Sequence, residues 1–422
     1  MSSKESLRVP RGMRDFYPED MVVRNRIFDS WRVAAERHGF HPYDAPIVEH
    51  LDLLKRKSGE EIINQIYAFK DKSGRDLALR PEMTPSLARM IAARQGSLTF
   101  PIKWYTIAQC FRYERMTRGR KREHYQLNLD IIGERSVTAE VEIIATAVLS
   151  LTLLGLHAGD YKIFFSSRNL LGDLMASLDI PSDLHEATFL ALDKRGKVSE
   201  DELLSMLDDA GHTRKHCDAI FRLLDIETLD QAAALLPDDT PSLRELQAFI
   251  AAAEHYELSK TLCFDIAVVR GLTYYTGIVF EAYDPDKTSR AILGGGRYDD
   301  LLQDVGGEPQ SGVGLGFGDV VIADLLRDLG REDQKMGLNE VALGYMEDAQ
   351  RNVAMRLAGQ LRDEGANVDL ALSTEKARQF FSRVGKQNYA KAAYLGPDDI
   401  TRGSVRIKDL QSREESEMPI SP

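Results

Sequence analysis

Two runs rich in aromatic and β-branched residues, IKWYTIAQCFRYE and the alternating QLNLDIIG, flank a short cationic stretch, and this leaves the chain few ways to fold. Runs of this kind pair as neighbouring strands when a turn joins them, and Gly119 permits the reversal. The reading is a hairpin. Arg112 and Glu114 share a face of the outgoing run, because side chains two residues apart point the same way on an extended chain. Gln126 and Asp130 share a face of the returning strand for the same reason. At the tip, Arg112, Arg115, Arg118, Arg120, Lys121 and Arg122 fall within eleven residues, opposed only by Glu114. Taken alone, such a tip also reads as a solvated basic turn.

The whole chain is acidic, with a formal net charge of -12, so it does not coat nucleic acid wholesale. A polyanion would meet it at a local patch, and the tip is that patch, each cation set against a phosphate backbone adding salt-dependent affinity. At 422 residues two to three domains are expected, each with its own core. Cys110, Cys217 and Cys263 lack CxxC spacing, which points away from a disulfide framework or a zinc site. No metal-ligand spacing is found among the histidines, His38, His41 and His124 included. The opening MSSKESLRVPRG lacks the apolar core of a signal peptide, and no run approaches a membrane span, so a cytoplasmic protein without membrane contact is expected.

The pattern divides the chain into 1–167, a first part of a catalytic core; 168–255, a mostly helical insertion broken by DD, PDD and DDTP; 256–330, where strand signals resume; and 331–422. Val23, Ile27, Phe28, Trp31 and Ala35 form a helical stripe over 19–38. Pro42 and Pro46 bracket an extended segment suited to an edge or an interface. Beyond the linker at 327–340, VALGY, NVDLAL, AAYLG and SVRIKDL alternate with helical patterns, which argues a small α/β domain with a partly parallel sheet. The fold class expected is an α+β core with an antiparallel sheet flanked by helices, a helical insertion and this C-terminal α/β domain.

Three further stretches carry chemistry. In LRPEMTP, at 79–85, Glu82 offers a carboxylate to a substrate ammonium and Thr84 a hydroxyl, although the stretch alone also reads as a solvated turn. In VVRGLTYYTGIVFE, Arg270 precedes Gly271 within an apolar setting, and a buried arginine is costly unless it meets an anion. Tyr274 and Tyr275 point to opposite faces if that run is extended. The triplet Gly294–Gly296 of GGGRYDD permits close approach to a flat ligand such as a nucleobase. The glycine-rich GVGLGFG lacks both the early βαβ unit and the downstream acid of a dinucleotide fingerprint, which disfavours an oxidoreductase.

Together PRGMRDFYPED, LRPEMTP, FRYER with its basic loop, QLNLDIIG, VVRGLTYYTGIVFE and GGGRYDDLL resemble the histidyl-tRNA synthetases, a class II aminoacyl-tRNA synthetase family, over almost the whole chain. The resemblance implies activation of L-histidine by ATP with Mg2+, transfer to tRNA(His), and a homodimer built on the 19–38 helix and the Pro46 segment. It places Arg112 and Arg270 on the α-phosphate as the catalytic pair and Glu114 on adenine. Around histidine it implies Glu82, Met83, Thr84 and Gln126 with Arg112, Arg270 and Tyr274, and it has Asp130 and Tyr275 read the imidazole. Arg115, Arg118, Arg120, Lys121 and Arg122 would face tRNA, and 338–412 would bind the anticodon.

One departure stands out. Asp319, Val320 and Val321 occupy the place where the family commonly ends its last motif in an arginine that holds the γ-phosphate. Arg297 or a cation of the basic loop would then take over, and Asp319 must point away or hold magnesium. The departure also raises an alternative, a histidine-binding regulatory paralogue of the kind that serves ATP phosphoribosyltransferase without aminoacylation. That family lacks the anticodon domain which 338–412 resembles.

Overall fold

Residue parity in the returning strand sorts its side chains between two chemically different faces. Leu127, Leu129 and Ile131 are buried in the main apolar core with Ile27, Trp31, Ile143, Ile144 and Ile322 from three helices. Asn128 and Asp130, buried too, point to the other side. Each Leu or Ile removed from water contributes about 1.5–3 kcal/mol, so a one-residue slip would turn the whole apolar set outward and is heavily disfavoured.

The computed structural model describes residues 7–55, 63–195, 198–269, 274–332, 341–387 and 389–420. The chain divides into two compact units, Met1–Tyr17 with Val23–Glu332, and Asp333–Pro422 with Pro18–Val22. In chain order the strands of the larger unit are β1 (His41–Pro42), β2 (Val48–His50), β3 (Ala68–Lys70), β4 (Asp76–Leu79), β5 (Ile102–Phe111), β6 (Glu123–Ile132), β7 (Lys162–Ser167), β8 (Leu262–Phe264), β9 (Ile278–Tyr283), β10 (Leu293–Tyr298) and β11 (Gly312–Gly318). Eight of them form one sheet in the order β1-β5-β6-β11-β10-β9-β7-β8. Its six central strands run antiparallel, while β1 on β5 and β8 on β7 are parallel, so the expected antiparallel sheet has parallel edges. The short β2, β4 and β3 make a separate three-stranded sheet.

The hairpin forms as its sequence predicts, with β5 paired to β6 from Ile102 opposite Ile132 to Phe111 opposite Glu123. The helix Pro18–Arg37 lays Trp31 against Phe317 of β11, ring centroids 5.1 Å apart. Pro42 sits on an edge strand, where a missing N–H costs no ladder bond. Between β7 and β8 the chain is helical, from Arg168–Ser177 through His185–Leu192, Glu200–Asp209 and Arg214–Leu223 to Pro241–His255.

The smaller unit holds a five-stranded sheet of β12 (Val341–Tyr345), β13 (Val368–Leu370), β14 (Lys391–Leu395), β15 (Ser404–Asp409) and β16 (Glu415–Pro419), in the order β13-β12-β14-β15-β16. The first three are parallel and the last pairings antiparallel. The final strand, ESEMP, has no apolar alternation to announce it. Its charges and terminal proline are what an exposed edge tolerates.

Candidate active site

The polar face of the large sheet is a floor made possible by glycine. On β11, Gly314 lies opposite Asp130 and Gly316 opposite Asn128. A Cβ at Gly314 would strike the Asp130 carboxylate and the Tyr298 ring, and one at Gly316 would come 2.7 Å from the Gln126 amide nitrogen. The alternating glycines of GVGLGFG therefore clear space for Asp130, Gln126 and Tyr298. On β10, Gly295 and Gly296 are filled by neighbouring protein: at Gly296 a Cβ would meet the Ile278 carbonyl at 2.8 Å and the Tyr275 ring at 3.0 Å, and at Gly295 it would meet Gly314 backbone and Phe280.

Asp130 is only 1% exposed. Its Oδ1 accepts the Tyr298 hydroxyl at 2.5 Å, and its Oδ2 has no hydrogen bond among the described residues. Burial pushes this carboxyl up to about 7, with the Tyr298 hydroxyl acting in the opposite direction. The phenol bonded to Asp130 is thus Tyr298, a residue the sequence reading passed over in GGGRYDD. Tyr275 stands further along the same wall. Its ring lies 4.9 Å from that of Tyr274, so the two tyrosines sit side by side rather than on opposite faces of an extended run; the strand begins only at Ile278.

LRPEMTP is no solvated turn. Arg80, Glu82, Met83 and Thr84 are all buried. The Tyr274 hydroxyl donates to Glu82 at 3.2 Å. Met83 packs with Ala108 and Cys110, the latter a small apolar filler as expected, and Thr84 opens the helix Thr84–Arg94. Two bonds to its backbone join this stretch to the hairpin: Phe111 N–H donates to the Arg80 carbonyl and the Arg112 side-chain Nε to that of Pro81, both at 2.9 Å. Among the described residues Arg112 uses only its Nε in this way, and its terminal amino groups have no protein partner. Its charge also holds the neighbouring His124 neutral, burial first and Arg112 second taking that imidazole down to about 3.

The basic loop is less outward than its composition suggested. Glu114 is buried and ion-paired with Arg120. Arg118 pairs with Asp328, and Gly119 N–H donates to Asp324. Arg122 stacks over Tyr113 at 3.8 Å and donates to the Glu114 carbonyl. Arg115 and Lys121 are exposed. Arg11, Tyr113, Glu114, Arg115, Met116 and Arg122 line a cavity of about 560 Å³.

Arg297 departs from expectation. Nε and one amino group hold both oxygens of Glu140 at 2.6 Å, and the remaining N–H groups go to Ser311 and the Glu134 and Ser136 carbonyls. All five donors are satisfied inside the protein, so none remains for a phosphate. Parity supplies the reason, since Tyr298 faces the floor and its neighbour Arg297 must face the helix Thr138–Leu153. Asp319 also resolves: it accepts Tyr125 N–H at 2.9 Å and pairs with Arg14 at 2.9 Å. It neither confronts a triphosphate nor stands open to magnesium. Burial raises it to about 6, Arg14 opposing.

Two positioning residues left no sequence signal. Arg14, in PRGMRDF, bridges Glu123 and Asp319. Arg168 donates to the Val269 and Tyr275 carbonyls at 3.1 Å, gripping both flanks of the 270–273 segment, and lies over Phe189 and beside Glu186 of the helical block. Arg270 itself, with Gly271, Leu272 and Thr273, lies outside the described residues. Among the described residues no cluster of acids, histidines or cysteines is built to hold a metal, and no helix is long and apolar enough to cross a membrane.

Comparison with known proteins agrees with this architecture. The family model Histidyl-tRNA synthetase matches residues 12–318, and the Anticodon binding domain model matches 338–422. A chloroplastic/mitochondrial histidine–tRNA ligase of Arabidopsis thaliana is 38% identical over 99% of this chain and 86% of its own length. The solved histidyl-tRNA synthetase of Nostoc superposes with a TM-score of 0.82 at 25% identity, covering 98% of this chain and 97% of that one. A Bacillus halodurans structure titled as an ATP phosphoribosyltransferase regulatory subunit/histidyl-tRNA synthetase gives 0.76 at 22% identity, covering 94% and 100%, which speaks to fold alone. With the catalytic match and the anticodon domain both present, this chain belongs to the histidyl-tRNA synthetase family.

Proposed function

We propose the following course for the enzyme, a histidine–tRNA ligase. The substrate carboxylate attacks the α-phosphorus of ATP; the bond to the β-phosphate bridge breaks, and pyrophosphate leaves with magnesium, giving histidyl-adenylate. The terminal ribose hydroxyl of tRNA(His) then takes the acyl group and AMP departs. At phosphorus the protein's task is mainly positioning and cation placement. Arg112 would meet the α-phosphate oxygens with its free amino groups, with Arg270 opposite. Glu114 would turn from Arg120 to the adenine amino group in the cavity beside Tyr113. Glu82, Thr84 and Gln126 would surround the substrate ammonium near Met83 and Tyr274.

The observation that carries the reading is Asp130: a buried carboxylate with one oxygen filled by Tyr298 and the other open. A substrate imidazole N–H completes that set, and a site built around a polar contact rejects apolar analogues strongly. Tyr275 would close the ring's other side. Exposed Arg115 and Lys121 would meet the tRNA acceptor end, together with Arg118 and Arg120 if these exchange their carboxylate partners for phosphates, and Arg122 if it leaves the Tyr113 ring. The smaller unit would bind the anticodon. A homodimer in the cytoplasm is part of the same reading, supported by the family.

The test is ATP–pyrophosphate exchange with each amino acid in turn, followed by charging of tRNA(His). Exchange with histidine alone, lost in Asp130→Asn, is expected. Exchange without charging would instead favour a non-acylating paralogue.

A further inference from the structure

The connection between β9 and β10 carries a cation that nothing above employs. Asp284 accepts the backbone N–H groups of Thr288 and Ser289 at 2.9 and 2.7 Å, which folds the turn and presents Arg290 toward the basic loop. A Cβ placed on Gly119 (φ +72°) would lie 3.4 Å from Arg290 Cδ and 3.2 Å from Val321 Cγ2. The loop tip is therefore wedged between the Arg290 stem and Val321, the position where a last-motif arginine is missing. Glycine holds the left-handed conformation of that tip without strain, and a side chain there would press on both neighbours.

The charge balance around this point is lopsided. Arg290 interacts with Arg112 and Arg120, both of like sign, and with Glu114, which Arg120 already holds. Partial desolvation first, and then Arg120, keep the Arg290 guanidinium below its ordinary value. Among the described residues this guanidinium has no hydrogen bond and no ion pair. Arg290 is exposed, so solvent screens this repulsion in the empty protein, and a polyanion entering beside the loop tip would turn it into attraction.

We propose that Arg290 binds the β- and γ-phosphate oxygens of ATP, supplying from the β9–β10 connection the charge that Val321 lacks. This rests on the nucleotide placement given above, with adenine at Glu114 and the α-phosphate at Arg112. Arg290 makes two demands at once: it must reach anionic oxygens beyond the α-phosphate, and it must be indifferent to a nucleotide that lacks them.

Equilibrium binding of ATP and of AMP to the wild-type protein and to Arg290→Gln tests both. A charge-assisted contact is worth about 1.5–3 kcal/mol, so ATP should weaken about ten- to hundredfold in the variant while AMP binds as before. Arg290→Lys, which keeps charge and stem, should retain most of the ATP preference, and both variants should melt with the wild type. Equal weakening of the two nucleotides, or unchanged ATP binding, overturns the proposal and leaves the ligase reading standing. Absence of histidine-dependent exchange by a wild-type protein that still prefers ATP over AMP through Arg290 overturns the ligase reading instead.

Discussion

Arg297 and Arg112 sit on the same sheet system, each in a stretch that reads as functional, yet they do opposite jobs. Arg297 is locked to Glu140, with every N–H answered by protein oxygen. Arg112 donates its Nε–H to the Pro81 carbonyl, and its terminal amino groups have no protein partner among the described residues. The first region is a finished network that fixes β10 against the helix Thr138–Leu153. The second is an unfinished one, and a substrate completes it. Counting donors left over, rather than counting arginines, separates scaffold from site.

The largest effect that would break this comparison is on folding. Arg297→Met strands a fully buried Glu140 and should cost about 3–5 kcal/mol in denaturant melts. Arg112→Met should instead melt within a small margin of wild type and lose about a hundred- to thousandfold in histidine-dependent pyrophosphate exchange. If Arg297→Met folds normally but fails in exchange, the assignment of the two arginines is reversed.

A smaller effect sharpens the same contrast at Arg14. Arg14→Ala removes charge-assisted bonds to Glu123 and Asp319 and should cost about 1.5–3 kcal/mol at pH 8. Asp319 has its folded value raised to about 6, so its ionised form is the destabilised one, and its contribution to stability is lost as pH rises through 6. The Arg14→Ala penalty should therefore shrink as pH falls below 6, where Asp319 is protonated with or without Arg14. A penalty that stays constant on acidification would show that Asp319 does not depend on Arg14.

The smallest effect belongs to the exposed cations. Replacing Arg115 and Lys121 by glutamine should leave pyrophosphate exchange alone and weaken tRNA charging a few-fold, the salt slope of binding falling by about one per lost phosphate contact. Loss of exchange would move these residues from the tRNA to the ATP.

Much of this was legible from sequence parity. The hairpin, the long first helix, the helical block and the alternating C-terminal unit follow from periods of 2 and 3.6. Asp130 and Gln126 fall on one face because four residues separate them. Carried two strands further through the observed register, the same parity finds Tyr298 and rejects Arg297. β10 pairs Gly296 with Gly314, which faces Asp130, so Tyr298 shares that face and Arg297 cannot. What no local pattern contains is register across distant strands, and that is why Arg297 looked available. Arg14 and Arg168 were invisible for a related reason, since Glu123 for the one and the Val269 and Tyr275 carbonyls for the other lie roughly a hundred residues away. β16 failed differently, its polar residues giving no alternation to detect.

Arg168 has one more consequence. It ties the two ends of the segment bearing Arg270 to a spot roofed by Phe189 and Glu186, which belong to the helical block. That block opens with Arg168 itself and cannot be trimmed away as a removable accessory: deleting it would remove the clamp on the segment that carries a proposed catalytic arginine. A minimal version of this enzyme would have to rebuild that lid before it could be expected to turn over.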